Sequence, residues 1–184
     1  MLMELFMSNI YNLFKFLEKK KGTKTPFKFK LINAPDELTD EELNVEGSLD
    51  LFNTKITSLP NNLQVRGDLD LSYTSITSLP DNLQVGGNLD LSYTKITSLP
   101  DNFKVGGDIG LTFTKFPSLP DNLQVGGNLV LNYSKISSIP NNLKVERSLF
   151  LDNTPLAKKY DKGKIIKMIL NKGGYFKGNL YGVD

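Results

Sequence analysis

Leucines recur along this chain with a period of twenty residues. Leu49, Leu69, Leu89, Ile109, Leu129 and Leu149 form one series, and Leu51, Leu71, Leu91, Leu111, Leu131 and Leu151 form a second, two residues later. Between them stand Asp50, Asp70 and Asp90, then Gly110, Val130 and Phe150. Alternation of apolar and polar side chains over a few residues marks a strand with one face in the core. Leu89-Asp90-Leu91 therefore predicts a short strand, repeated in register every twenty residues. Ile96, Leu99, Phe103 and Val105 carry apolar side chains around the rest of the unit. Pro100 fixes its own φ and biases Leu99 to extended backbone, so Asp101-Asn102 reads as a turn.

Twenty residues less a strand and two turns leave no room for a full helix, so the return is expected to be extended or 3₁₀-like. One such unit cannot bury its own apolar face. Stacked units share a core and a continuous ladder of backbone hydrogen bonds, so the stack is the folding unit. A pentapeptide-repeat β-helix also has twenty-residue turns, but it needs an inward apolar residue every five positions. That series runs Leu89, Thr94, Leu99, Lys104, and Lys104 breaks it.

The phase L-x-L-x-x-T-x-I-x-x-L-P over residues 43 to 156 resembles the short leucine-rich repeats of bacterial effector proteins, L-x-V-x-x-N-x-L-x-x-L-P. The segment Thr154 to Tyr181 is similar to the terminal cap of leucine-rich-repeat proteins of phages and their hosts. The resemblance implies a leucine-rich-repeat solenoid, of the α/β class by family but mostly β. Its expected form is a curved parallel sheet with an extended or 3₁₀ convex side. It further implies a non-catalytic protein–protein interaction module, an effector- or phage-type inhibitor of a host protein, in the cytoplasm of a bacterial or phage-infected cell. The family's turn Asn is replaced here by Thr54, Thr74, Thr94, Thr114, Ser134 and Thr154. A hydroxyl has fewer donors than an amide, so part of the bonding between repeats is expected to differ.

The flanks predict the caps. Leu2, Phe6, Ile10, Leu13 and Leu17 follow helical spacing and end at Lys19-Lys20-Lys21, which gives a helical N-terminal cap over residues 1–26. Packing on the domain is its expected role, and lying on a membrane surface is the alternative. The stretch lacks the basic start and cleavage site of a secretory signal, and is too short and interrupted to span a bilayer. Phe27-Lys28-Phe29-Lys30-Leu31 predicts the first strand of a solenoid over residues 27–160. In 161–184, Asp161 is placed to cap a helix bearing Ile165, Ile166, Ile169 and Leu170, with Gly173-Gly174 ending it. Gly178-Asn179-Leu180 echoes Gly87-Asn88-Leu89 and predicts a closing strand.

Composition changes this picture chiefly by exclusion. The chain has 184 residues, no cysteine and no histidine. Disulfides, thiolate metal sites, cysteine nucleophiles and histidine bases go together, so neither catalysis nor a cofactor or metal is expected. The net charge of +2 gives no overall attraction to nucleic acid or membrane. Residues 1–30 and 155–184 each carry seven lysines, whereas 31–46 carry six carboxylates and no base.

The candidate partner-binding residues are two columns on the strand face of an expected monomer. One is Asp50, Asp70, Asp90, Val130 and Phe150; the other is Tyr73, Tyr93, Phe113 and Tyr133, with Asn53 and Asn153 at its ends. Ser48, Asp68, Asn88, Asp108, Asn128 and Ser148 form a parallel outward column, and Lys55, Lys95, Lys115 and Lys135 follow the aromatic positions. Aromatic side chains bring large rigid area to an interface at low entropic cost; a ladder of rings stacked only on one another is the competing reading. The partner expected is a protein. The alternatives are nucleic acid bound through the lysine-rich ends, and nucleic-acid mimicry by the Asp columns.

Overall fold

The computed structural model describes residues 2–22 and 24–183, with the side chains of 2–9 and 21 left out. The chain forms two compact units, Met1–Leu43 and Asn44–Asp184.

The first unit contains helices α1 (Leu2–Lys21) and α2 (Phe27–Asn33), then a 3₁₀ turn at Pro35–Glu37. Residues 27–31, expected as the first strand, are helical. Alternation of Phe and Lys is compatible with either state over five residues. Here Phe27, Phe29 and Lys30 are half-buried and Leu31 is buried, and Phe29 packs against Phe14 and Tyr11 of α1, with ring centroids 5.1 and 6.3 Å away. The apolar face of α1 is therefore turned from the one expected. Ile10 and Leu17 are half-buried, but Leu13 and Phe16 are exposed; Leu2 and Phe6 fall outside the described side chains. No helix among the described residues is long and apolar enough to cross a membrane.

The second unit is a parallel β-solenoid. Every turn contributes two short strands, as at Gln84–Val85 and Leu89–Asp90, and these assemble into two seven-stranded parallel sheets. Register advances by twenty residues: Leu69 pairs with Leu89 and Ile109 with Leu129. Leu49, Leu69, Leu89, Ile109, Leu129 and Leu149 are all buried, as are the second-series leucines. The stretch from Ile96 to Pro100 forms neither helix nor strand, in keeping with the length argument against a helix. The return does hold a strand, at Lys104–Val105, so the stack has a second sheet where a single one was expected. The first strand of the stack lies at Asn44–Val45.

A side-chain ladder ties turns together besides the sheets. Ser48 Oγ accepts the backbone N–H of Asp68 at 3.0 Å, and Oδ1 of Asp68, Asn88, Asp108 and Asn128 each accepts the N–H twenty residues on, at 2.6–3.0 Å. Ser148 Oγ passes the pattern to Asn179 at 3.0 Å. The column Ser48 to Ser148, expected to point outward, is thus committed to the stack. The hydroxyls at the substituted Asn positions act within their own turn: those of Thr74, Thr94 and Thr114 donate to the carbonyls of Leu71, Leu91 and Leu111 at 2.6–2.7 Å.

The last turn ends in helices. Thr154 Oγ1 donates to the Leu151 carbonyl and accepts the Ala157 N–H, so it caps α3 (Pro155–Lys159). Asp161 caps α4 (Lys162–Asn171) by accepting the Lys164 N–H at 2.8 Å. Ile165 and Ile169 are buried, and Leu170 is exposed. Gly173 takes φ +74 at the helix end, a conformation that favours glycine. Strands Tyr175–Phe176 and Leu180–Tyr181 then add to the two sheets in parallel, as expected for the second of them.

Candidate functional site

The aromatic column sits where the backbone turns left-handed. Tyr73, Tyr93, Phe113 and Tyr133 have φ of 58, 59, 58 and 59°, and Asn53 and Asn153 share that conformation at 52 and 57°. Asparagine visits this region routinely, whereas a bulky side chain does so at a cost of about 1–2 kcal/mol. The local cause is the strand exit. Oδ1 of Asp50, Asp70 and Asp90 accepts the backbone N–H two residues on, at Phe52, Ser72 and Ser92, each at 2.8 Å. This closes an Asx turn before Asn53, Tyr73 and Tyr93; Phe113, Tyr133 and Asn153 take the same conformation without one, after Gly110, Val130 and Phe150.

The rings stack in sequence. Tyr73–Tyr93, Tyr93–Phe113 and Phe113–Tyr133 centroids lie 4.4, 4.8 and 4.7 Å apart, with planes within 25° of parallel. Phe52 meets Tyr73 edge-on at 5.5 Å. The rings remain 43–51% exposed. Each ring face inside the column is covered by its neighbour, and the edges face solvent. Desolvation between neighbours, and then the Tyr73 phenol, pushes the Tyr93 pKa up. Stacking geometry returns about 0.5–1.5 kcal/mol per pair beyond area burial, similar in size to the backbone penalty per ring, and the covered ring faces add their burial to it.

The other expected column is brought into line too. Asp50 pairs with Asp70, Asp70 with Asp90, Asp90 with Gly110 and Val130 with Phe150 across adjacent strands. The Phe150 ring stacks on Tyr181 at 4.6 Å. Asp50 is exposed, whereas Asp70, Asp90, Val130 and Phe150 are half-buried. The aspartates do not converge on a common point, since each carboxylate is held to its own turn; among the described residues no cluster suited to a metal ion occurs. A side chain on Gly110 would lie 2.8 Å from Asp90 Oδ1, so the column is notched where it changes from acidic to apolar.

A groove on the other sheet was not anticipated. Gln84, Lys104, Gln124, Lys144 and Tyr175 line it, with Gly86, Gly106 and Gly126 along its floor. A Cβ on Gly106 or Gly126 would overlap the carbonyl oxygen of the preceding turn's glycine. Close stacking of turns therefore accounts for the floor. The left-handed aromatic positions were also missed, although Asn53 and Asn153 at the ends of the column carried the signal.

Comparison with protein families, curated proteins and solved structures finds no match to this chain.

Proposed function

We propose that the chain is a non-catalytic binding protein of the leucine-rich-repeat kind, which holds a partner protein against the column Tyr73, Tyr93, Phe113 and Tyr133. One observation carries this reading: exposed aromatic rings occupy left-handed positions that asparagine fills at both ends of the same column. Strained backbone kept at an exposed site argues for a role outside folding, and asparagine takes the same backbone conformation with less strain. Tyrosine is also among the side chains that dominate binding hot spots. The half-buried apolar pair Val130 and Phe150 extends the same face, and Asp50, Asp70 and Asp90 give it an acidic end.

The absence of histidine and cysteine from the sequence supports a non-enzymatic role. The resemblance to effector- and phage-type repeats extends the proposal to inhibition of a host protein in the cytoplasm. Nucleic-acid binding through the aromatic column is the weaker reading, because bases stack on ring faces and these faces are taken by neighbouring rings.

The test is photo-cross-linking from position 113 in native extract, repeated with Tyr93→Asn and Tyr133→Asn. Loss of a specific cross-linked protein in both variants, with melting unchanged, is expected. Retention of the cross-link in both would move the binding site elsewhere.

A further inference from the structure

The aromatic column has a charge character of its own. Its inner ring faces are consumed by stacking at 4.4–4.8 Å, so along the column a partner meets ring edges. The edge is the positive part of an aromatic quadrupole, and at Tyr73, Tyr93 and Tyr133 it carries a phenol donor. Two residues beyond the rings at 93, 113 and 133 stand Lys95, Lys115 and Lys135, all exposed and, among the described residues, without a carboxylate partner. The buried hydroxyls of Thr94, Thr114 and Ser134 separate ring from lysine. On the opposite side, three residues before the first two rings, lie Asp70 and Asp90. The strip is a row of ring edges bearing three phenols, with a cationic rim on one side and carboxylates at one end of the other.

Spacing selects the partner's secondary structure. Rungs of the solenoid repeat at about 4.8 Å, so Lys95 to Lys135 spans about 9.6 Å. Carboxylates at i, i+4 and i+7 of an α-helix span about 10.5 Å along its axis. Same-face residues of a single extended strand repeat at about 6.6–6.8 Å and would cover about 13 Å in two steps. A helix lying along the solenoid axis matches the row, and a lone strand overruns it.

We infer that the strip from Tyr73 to Lys135 receives an acidic amphipathic helix. Its apolar stripe lies on the ring edges and its carboxylates face Lys95, Lys115 and Lys135. This rests on the reading of the aromatic column as a binding face.

The probe is a synthetic helical peptide with a leucine stripe flanked by glutamates at i, i+4 and i+7. It is compared with glutamine and lysine versions and with a single-stranded thymidine oligonucleotide, using fluorescence anisotropy of the labelled ligand. The glutamate peptide is expected to bind more tightly than the other three, and more weakly as salt rises. The triple variant Lys95→Glu, Lys115→Glu, Lys135→Glu should lose it by about tenfold or more and gain the lysine peptide, as charge pairing at an interface requires. Equal binding of the glutamine or lysine peptide, tighter binding of the oligonucleotide, or no binding of the glutamate peptide overturns the inference. If the triple variant still yields the protein cross-linked from position 113 while Tyr93→Asn does not, the acidic helix is refuted and the aromatic binding face stands.

Discussion

Asp68 Oδ1 accepts the backbone N–H of Asn88, twenty residues away, at 2.7 Å. The same bond recurs at each turn of the column from Ser48 to Asn179, between one unit and the next. Asp68→Ala should lower unfolding free energy by about 0.5–1.5 kcal/mol, the net worth of a typical hydrogen bond. Asp68→Asn, which keeps the acceptor, should remain near wild type in urea titration. Equal losses in both variants would show that the charge matters and the bond does not.

Gly106 has no room for a side chain, since its Cβ would overlap the Gly86 carbonyl oxygen. The obstacle is backbone and cannot rotate away. Gly106→Ala is expected to cost about 1–3 kcal/mol, as overpacking does elsewhere, and to lower the melting temperature. An unchanged melting curve would mean that neighbouring turns can separate without loss.

Tyr93 tests backbone strain against stacking. Both Tyr93→Asn and Tyr93→Ala remove its two stacks, at 4.4 and 4.8 Å, but only asparagine suits a φ of 59°. The asparagine variant should be the more stable of the two by about 1 kcal/mol. The reverse order, measured by chemical denaturation, would remove the argument from strain.

Glu146 sets the acid response of the last turn. Its carboxylate pairs with the Lys177 ammonium and accepts the Tyr175 hydroxyl, and both hold its pKa below the ordinary glutamate value. The unfolded chain therefore binds this proton first. The stabilisation is complete above an unfolded pKa of about 4.3, and it is lost as pH falls through the lower folded value. The exchange protection of the Tyr175 and Lys177 amides, which donate to the Leu143 and Val145 carbonyls, should fall below that range in wild type once the intrinsic slowing of exchange in acid is divided out. In Glu146→Gln it should lack this pH dependence.

The sequence by itself determined the solenoid. A strict twenty-residue period with Leu at two fixed positions admits one register, because a one-residue slip would turn every leucine outward. The same periodicity aligned Asp50 with Asp70 and Tyr73 with Tyr93, so the columns were legible before any coordinates. Asp161 and Gly173 marked the ends of α4, because capping is a local property of few residues. The state of Phe27–Leu31 was decided by tertiary packing, since Phe-Lys alternation fits a helix or a strand until Phe29 meets Phe14. The bonding of the column Ser48 to Ser148 was likewise hidden in the sequence, because an acceptor's use depends on which N–H the next turn brings beside it. Left-handed backbone at Tyr73, Tyr93, Phe113 and Tyr133 is imposed by the strand exit against the preference of those residues, and only the folded stack holds them there.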